Sequence, residues 1–246
     1  MKNLTDKIAF VTGGSRGIGA AIAKRLADEG ATVVLTYSSS PEKADEIVRE
    51  IIQGGGIATA VKANGLNADE VTGAVEATIS KYGRVDILVN NAGIYVGKAF
   101  EEHTLADYNE IMTVNVQAVF AASLAAVKAM PAGGRIINIG SNMAEHALGP
   151  QTTLYTMSKS ALQGFTRGLS RDLGKQNITV NLVQPGPINT DMNPADAPLA
   201  DFLRSHMALP DYGVPADIAS MVNYLASAEA KYITGSFLTV DGGLNA

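Results

Sequence analysis

Short, almost continuously apolar runs alternate with helix-length stretches along the chain, and this alternation limits the fold more than any other feature. The strand candidates are Ile8–Thr12, Thr32–Thr36, Ala58–Val61, Ile87–Val89, Arg135–Ile139, Thr179–Val183 and Ser236–Val240. Runs without polar alternation suit strands buried on both faces. Between them, Ser40-Pro41 and Val214-Pro215 read as helix starts with proline at the first helical position. Thr104-Leu105-Ala106-Asp107 reads as a capping-box start with the shorter Asp in the Glu position. Strand–helix alternation implies right-handed βαβ units. The expected fold is a single α/β domain over residues 1–246, a doubly wound parallel sheet of about seven strands with helices on both faces. Ligands of such sheets bind beyond the carboxyl ends of the strands, so the loops after the strands are where chemistry is sought.

A chain of 246 residues fits one large α/β unit. The absence of cysteine excludes a disulfide framework, a thiolate metal cluster and a cysteine nucleophile. A net charge of −5 and a pI near 5.2 argue against a nucleic-acid or anionic-membrane partner. The first residues lack signal-peptide anatomy. The apolar segment Ile111 to Met130 is interrupted by Asn115, Gln117 and Lys128, which predicts a buried helix rather than a bilayer span. A cytoplasmic protein is expected. His103, His146 and His206 share no metal-ligand spacing, so no metal is expected; His146 lies in a loop that would border a substrate.

The first strand candidate runs into Thr12-Gly13-Gly14-Ser15-Arg16-Gly17-Ile18-Gly19, and a helix follows. The pattern is G-x-x-x-G-x-G, without the Lys-Ser/Thr ending of a P-loop. Such glycines can serve a plain strand-to-helix turn, or let the backbone approach a pyrophosphate held at the helix N-terminus. The strand–loop–helix context favours the dinucleotide reading. An NAD site would carry an acidic residue after the second strand. Here Tyr37-Ser38-Ser39-Ser40 follows instead, and no carboxylate occurs between Glu29 and Glu42. Serines with Arg16 nearby suit a 2′-phosphate, because arginine meets phosphate with a charged fork. NADPH/NADP is the expected cofactor, ahead of NADH.

Tyr155 and Lys159 stand four apart, which puts a phenol beside an ammonium on one helix face. Alone, Tyr-x-x-x-Lys is a common chance pair. It occurs here in order with Thr12–Gly19, Asn90-Asn91-Ala92-Gly93, Asn115, Ser141, Pro185-Gly186 and the ending Val240-Asp241-Gly242-Gly243. In that order and spacing the whole chain resembles the short-chain dehydrogenase/reductase family, a single Rossmann-type domain using NAD(H) or NADP(H). The resemblance implies that Tyr155 is the general acid/base for a carbonyl oxygen. It implies that Lys159 lowers the phenol's pKa and holds the nicotinamide ribose. Moving a phenol from about 10 to near 7 takes about 4 kcal/mol of differential stabilisation. Ser141 would hydrogen-bond the carbonyl oxygen, and Asn115 would anchor a water relay to Lys159; by itself Asn115 reads as a helix kink or a satisfied core amide, and only the resemblance favours the relay. The implied cofactor contacts are Gly13, Ser15, Arg16, Gly17, Ile18, Gly19, Tyr37, Ser38, Ser39, Asn64, Gly65, Asn91, Ala92, Gly93, Tyr155, Lys159, Pro185, Gly186, Ile188 and Thr190.

Two departures from the family pattern stand out. Ser141 precedes Tyr155 by 14 residues and Asn142 occupies the customary spacing of 13; Ser141 directly follows its strand, so the extra residue is assigned to the loop Asn142–Leu154. Asn64 stands where the family often has an adenine-contacting Asp. The segments Ser158–Gly164, Arg167–Asp172 and Gln184–Pro194 resemble a bacterial subgroup that holds carbonyl and 3-oxoacyl reductases and a cyclic-di-GMP-binding biofilm dispersal mediator. The Ser141/Tyr155/Lys159 set favours an NADPH-dependent carbonyl reductase; a 3-oxoacyl thioester reductase and a cyclic-di-GMP-binding regulator are the alternatives. The stretch Lys128–Gly134 lacks the basic run that suits an acidic carrier protein. The lid Met192 to Tyr212 is apolar and suits a small ketone or aldehyde. The alanines of Thr104–Met130, the long helix Thr152–Lys175 and the apolar run Ile233–Gly243 predict a homotetramer.

Overall fold

All seven strands lie parallel in one sheet of order β3-β2-β1-β4-β5-β6-β7, in a computed structural model that describes residues 2–246. The strands are β1 (Ile8–Val11), β2 (Thr32–Tyr37), β3 (Ile57–Lys62), β4 (Ile87–Asn90), β5 (Arg135–Ile139), β6 (Thr179–Pro185) and β7 (Phe237–Val240). The helices are α1 (Gly17–Asp28), α2 (Pro41–Gln53), α3 (Ala68–Tyr82), α4 (Leu105–Met112), α5 (Ala118–Val127), α6 (Thr153–Leu173), α7 (Ala200–His206) and α8 (Pro215–Ala226). This is the α/β fold the alternation predicts, and the strand edges move by one or two residues. The largest change is β6, which continues to Pro185 because its register with β7 pairs Gln184 with Thr239 and Pro185 with Val240. A proline at the last ladder position forfeits one donor at the point where pairing ends.

The strands distribute their side chains with period two. Ala9, Val11, Val33, Leu35, Val89 and Ile137 join the core under α1, α2 and α8. Their neighbours Phe10, Val34, Leu88 and Ile136 face the opposite core, with α3 and α5. The order of connection reverses at β1, which pairs with β2 on one side and β4 on the other. A crevice therefore opens between the ends of β1 and β4.

Local signals set the helix starts. Thr104 and Asp107 form the reciprocal capping box, with the Thr104 N–H donating to Asp107 Oδ2 at 2.8 Å. Pro215 opens α8, where Asp217 accepts from the Val214 N–H at 2.7 Å. Ser40 precedes Pro41 as expected, but its hydroxyl caps nothing; the proline alone carries that signal.

The expected continuous helix from Thr104 to Met130 is broken by a π-helical turn over Thr113–Gln117, which separates α4 from α5. Leu105–Val127 has the length and mean hydropathy of a bilayer span, yet half of that window is buried inside the protein. Ala118, Ala122, Ala125 and Ala126 pack into the chain's own core. The alanines thus bring α5 close to α3 and the sheet, rather than offering a bare seam to another chain. Phe120 and Leu124 are the outward residues of α5.

Candidate active site

A cleft of about 1160 Å³ runs along the carboxyl ends of the strands, from the loop after β1 to the start of α6. Every residue expected from the sequence to touch a cofactor lines it. Gly13, Ser15, Arg16, Gly17, Ile18 and Gly19 form one end with Tyr37, Ser38 and Ser39. Asn64, Gly65, Asn91, Ala92 and Gly93 form the floor and one wall. Pro185, Gly186, Ile188 and Thr190 also line it, with Thr190 beside Gly17, and Ser141, Tyr155 and Lys159 complete the lining, with Lys159 beside Gly93. Asn115 is the exception: it lies wholly buried behind the wall.

The glycine loop is built by its own backbone. Gly13 N–H donates to Thr36 Oγ1 at 3.0 Å. Asn91 Nδ2 donates to the carbonyls of Thr12 and Gly13 at 3.0 and 3.1 Å. Gly19 is required by close packing, since a Cβ there would stand 2.2 Å from the Gly13 carbonyl oxygen. Gly17 has φ +53 and opens α1, whose first turn holds no acidic residue and whose N-cap, Arg16, offers no side-chain acceptor. The N-terminal N–H groups and the dipole of α1 therefore remain available to an anion, which fits a pyrophosphate. Asn91 thus braces this loop as well as lining the cleft.

At the ribose end, β2 finishes in Tyr37 and three serines without a carboxylate. Arg16 Nη1 lies 3.7 Å from Asp191 Oδ2, and Lys43 Nζ lies 3.4 Å from the same oxygen. Sequence reasoning missed Lys43, because nothing local places the first turn of α2 beside residue 191. Asn64 spends its Oδ1 on the Leu66 N–H at 3.1 Å, while its own N–H donates to Glu70 Oε2 at 3.0 Å.

At the other end, Tyr155 and Lys159 sit two and six residues into α6. Lys159 is 4% exposed and donates to the Ile139 carbonyl at 2.9 Å. Its Nζ stands 5.7 Å from the Tyr155 ring centroid. Ser141 follows β5 and accepts from the Met143 N–H at 3.2 Å, and its hydroxyl lies beside the Tyr155 phenol, whose pKa it lowers. The hydroxyl beside the phenol is thus Ser141; Asn142, at the customary spacing, turns away to the chain's C-terminal residues. Burial pushes the Tyr155 phenol up to about 12, opposed by the Ser141 hydroxyl and reinforced by Tyr95. Burial pushes the Lys159 ammonium down to about 8. Desolvation is the largest influence on the phenol, and Lys159 is not among the groups that shift it here. The site holds a protonated phenol, which is the form a proton donor needs.

Asn115 lies in the π turn between α4 and α5. Its Oδ1 accepts from the Ile94 N–H at 2.9 Å, and its Nδ2 donates to the Ile94 carbonyl and to Ser158 Oγ, each at 3.0 Å. These bonds tie the Gly93–Ile94 loop to α6. π turns recur at functional sites. Tyr95, unflagged by the sequence, places its ring edge against Tyr155 with centroids 5.1 Å apart. Its position directly after the Asn90–Gly93 turn is the signal that could have found it.

Residues 13–245 match the family model described as enoyl-(acyl carrier protein) reductase. The chain belongs to the short-chain dehydrogenase/reductase family. It is an NAD(P)-dependent oxidoreductase acting on CH–OH and C=O groups. Among its relatives is the cyclic-di-GMP-binding biofilm dispersal mediator protein of Escherichia coli strain K12, 43% identical over 247 residues and covering 100% of both chains. A 3-oxoacyl-[acyl-carrier-protein] reductase of Synechocystis is 41% identical, covering 99% of each chain. A blue fluorescent protein from a metagenomic library, solved in complex with NADPH, is 52% identical with a TM-score of 0.97, covering 99% of this chain and 100% of that one. NADPH/NADP is the cofactor of this short-chain reductase fold, and the glycine loop, α1 N-terminus and carboxylate-free end of β2 are the groups that fit it.

Proposed function

We propose that this protein is an NADPH-dependent carbonyl reductase that interconverts small ketones or aldehydes and their alcohols. The observation that carries the reading is the Tyr155 phenol, set with the Ser141 hydroxyl and the Lys159 ammonium in the cleft that the glycine loop opens. The bound nicotinamide supplies the hydride. Ser141 holds the carbonyl oxygen at the mouth of Tyr155, and the phenol proton passes to that oxygen as negative charge develops on it. The phenolate left behind stands beside Lys159, whose ammonium balances it across the ring face. Asn115, through Ile94 and Ser158, keeps the Gly93 loop and α6 in register for this exchange. Catalytic roles therefore go to Ser141, Tyr155 and Lys159, with Asn115 behind them.

Leu148, Met192, Leu199 and Phe202 give the substrate end an apolar lining, which supports a moderately apolar carbonyl compound as substrate. A 3-oxoacyl thioester is the second substrate class. A cyclic-di-GMP-binding role, which the name of the Escherichia coli relative raises, requires no phenol set between a serine hydroxyl and an ammonium. We place the protein in the cytoplasm as a homotetramer, without a nucleic-acid or membrane partner. Support for the tetramer comes from the outward Phe120 and Leu124 of α5 and the sheet edge left by β7. NADPH consumption across a panel of carbonyl compounds tests the reading; consumption without any carbonyl substrate in the panel, or none at all, counts against it.

A further inference from the structure

The chain's last residues form a tight hydrogen-bonded turn beneath the catalytic serine. Asp241 Oδ1 accepts from the Gly243 N–H at 2.9 Å, and Oδ2 accepts from the Asn245 N–H at 3.0 Å. Gly242 and Gly243 take left-handed conformations, φ +65 and +77, that make this turn possible. From it Asn245 reaches Asn142 twice: Asn245 Nδ2 donates to the Asn142 carbonyl at 2.9 Å, and Asn142 Nδ2 donates to Asn245 Oδ1 at 3.2 Å. Asn142 Nδ2 also lies 3.5 Å from Asp241 Oδ2. Asn142 is 4% exposed, so these amide bonds are made away from water.

Asn142 adjoins Ser141, and the helical turn it opens supplies the Met143 N–H that donates to Ser141 Oγ. That bond ties the Ser141 hydroxyl oxygen to the turn. The Asn142 carbonyl also accepts from the N–H groups of Glu145 and His146, so the pair fixes the whole turn. The tail is anchored on two further sides. A Cβ at Gly186 would stand 2.4 Å from Asp241 Cβ, which places the tail hard against the Pro185-Gly186 wall of the cleft. Leu209 N–H donates to the Gly242 carbonyl at 2.9 Å at the exit of the lid.

We infer that Asn245 and Asp241 are positioning residues that act through Asn142 to hold the Ser141 hydroxyl in its catalytic orientation. This rests on reading Ser141 as the carbonyl-oxygen donor. It also accounts for Asn142 at the customary serine spacing: its carboxamide is the socket into which the tail locks.

The test uses the full chain with Asn245→Ala, Ser141→Ala and the double variant, and reads hydrogen exchange, NADPH affinity and steady-state kinetics. Asn245→Ala is expected to cut exchange protection of the Met143–His146 amides and kcat each by about ten-fold, with NADPH affinity held within about two-fold. In the Ser141→Ala background the same change is expected to cost less than about two-fold in kcat, because its route of action is already gone. Asn142→Ala, the other half of the pair, should reproduce the exchange result. Unchanged protection in this turn overturns the inference, and so does a kcat loss carried in full into the Ser141→Ala background. If the unmutated protein reduces no carbonyl, the reductase reading fails while the exchange measurement still decides whether the tail holds the serine turn.

Discussion

The Tyr95 ring meets the Tyr155 ring edge to face, with centroids 5.1 Å apart and planes inclined at 72°. Tyr95 Oη donates to the Gln151 carbonyl at 3.4 Å, so the loop after β4 leans on the start of α6 through two aromatic rings. An edge-to-face pair contributes about 0.5–1.5 kcal/mol beyond its buried area. That is enough to bias a phenol between rotamers. Tyr95→Ala is expected to lower kcat by about three- to ten-fold with little change in NADPH affinity. Steady-state kinetics beside a cofactor titration checks it, and an unchanged kcat would refute the bracing role.

Tyr155→Phe removes the proton donor and leaves the glycine loop untouched. Carbonyl reduction is expected to fall by about 10²–10⁴-fold while NADPH still binds. Cofactor fluorescence and turnover, measured on the same sample, separate the two halves; near-normal turnover would rule out Tyr155 as the acid.

Lys159 illustrates the cost of the site. Burial brings its pKa from an ordinary 10.5 to about 8. Between those values the unfolded chain binds the proton and the native chain does not, so stability rises with pH across that window. Below pH 8 the penalty is present in full. Lys159→Met is therefore expected to stabilise the cofactor-free protein at pH 7 by about 2 kcal/mol, after allowing about 1 for the lost bond to the Ile139 carbonyl. Urea unfolding at pH 7 and pH 10 checks both sign and window: the advantage should shrink at the higher pH. A less stable variant at pH 7 contradicts the desolvation account.

Arg16 and Lys43 share one carboxylate, Asp191, at the 2′ end of the cleft. A 2′-phosphate there would take both cations. Arg16→Ala is expected to weaken NADPH by about ten-fold and to leave NADH nearly unchanged. Measuring kcat/KM for both cofactors decides it, and an unmutated enzyme that prefers NADH would sink the assignment.

The outward Phe120 and Leu124 give the quaternary prediction. Light scattering should return a mass near four chains of 25.6 kDa, and Phe120→Glu should shift it toward a smaller assembly. A monomeric mass for the unmutated protein refutes the interface.

The architecture was legible because each layer has its own periodic signal. Strands such as Val33–Leu35 are apolar at every position since both faces are covered, and Thr104/Asp107 and Pro215 announce helices through capping chemistry that depends only on neighbours. The glycine loop and Tyr155/Lys159 were legible for the same local reason. What escaped depends on contacts distant in sequence. The Asn142–Asn245 pair spans 103 positions, and Lys43–Asp191 spans 148. The π turn at Thr113–Gln117 also escaped, because the residues on both sides of it are helix-compatible. Alanine spacing misled for a physical reason: small residues permit close approach equally to a partner or to α3, and here α3 is the neighbour.

The most direct test of the account is NADPH consumption by the unmutated protein against a graded panel of ketones and aldehydes, run beside Tyr155→Phe and beside a cyclic-di-GMP binding titration. The account predicts carbonyl-dependent oxidation of NADPH that Tyr155→Phe abolishes. Tight binding of cyclic di-GMP with no carbonyl-dependent turnover would contradict it.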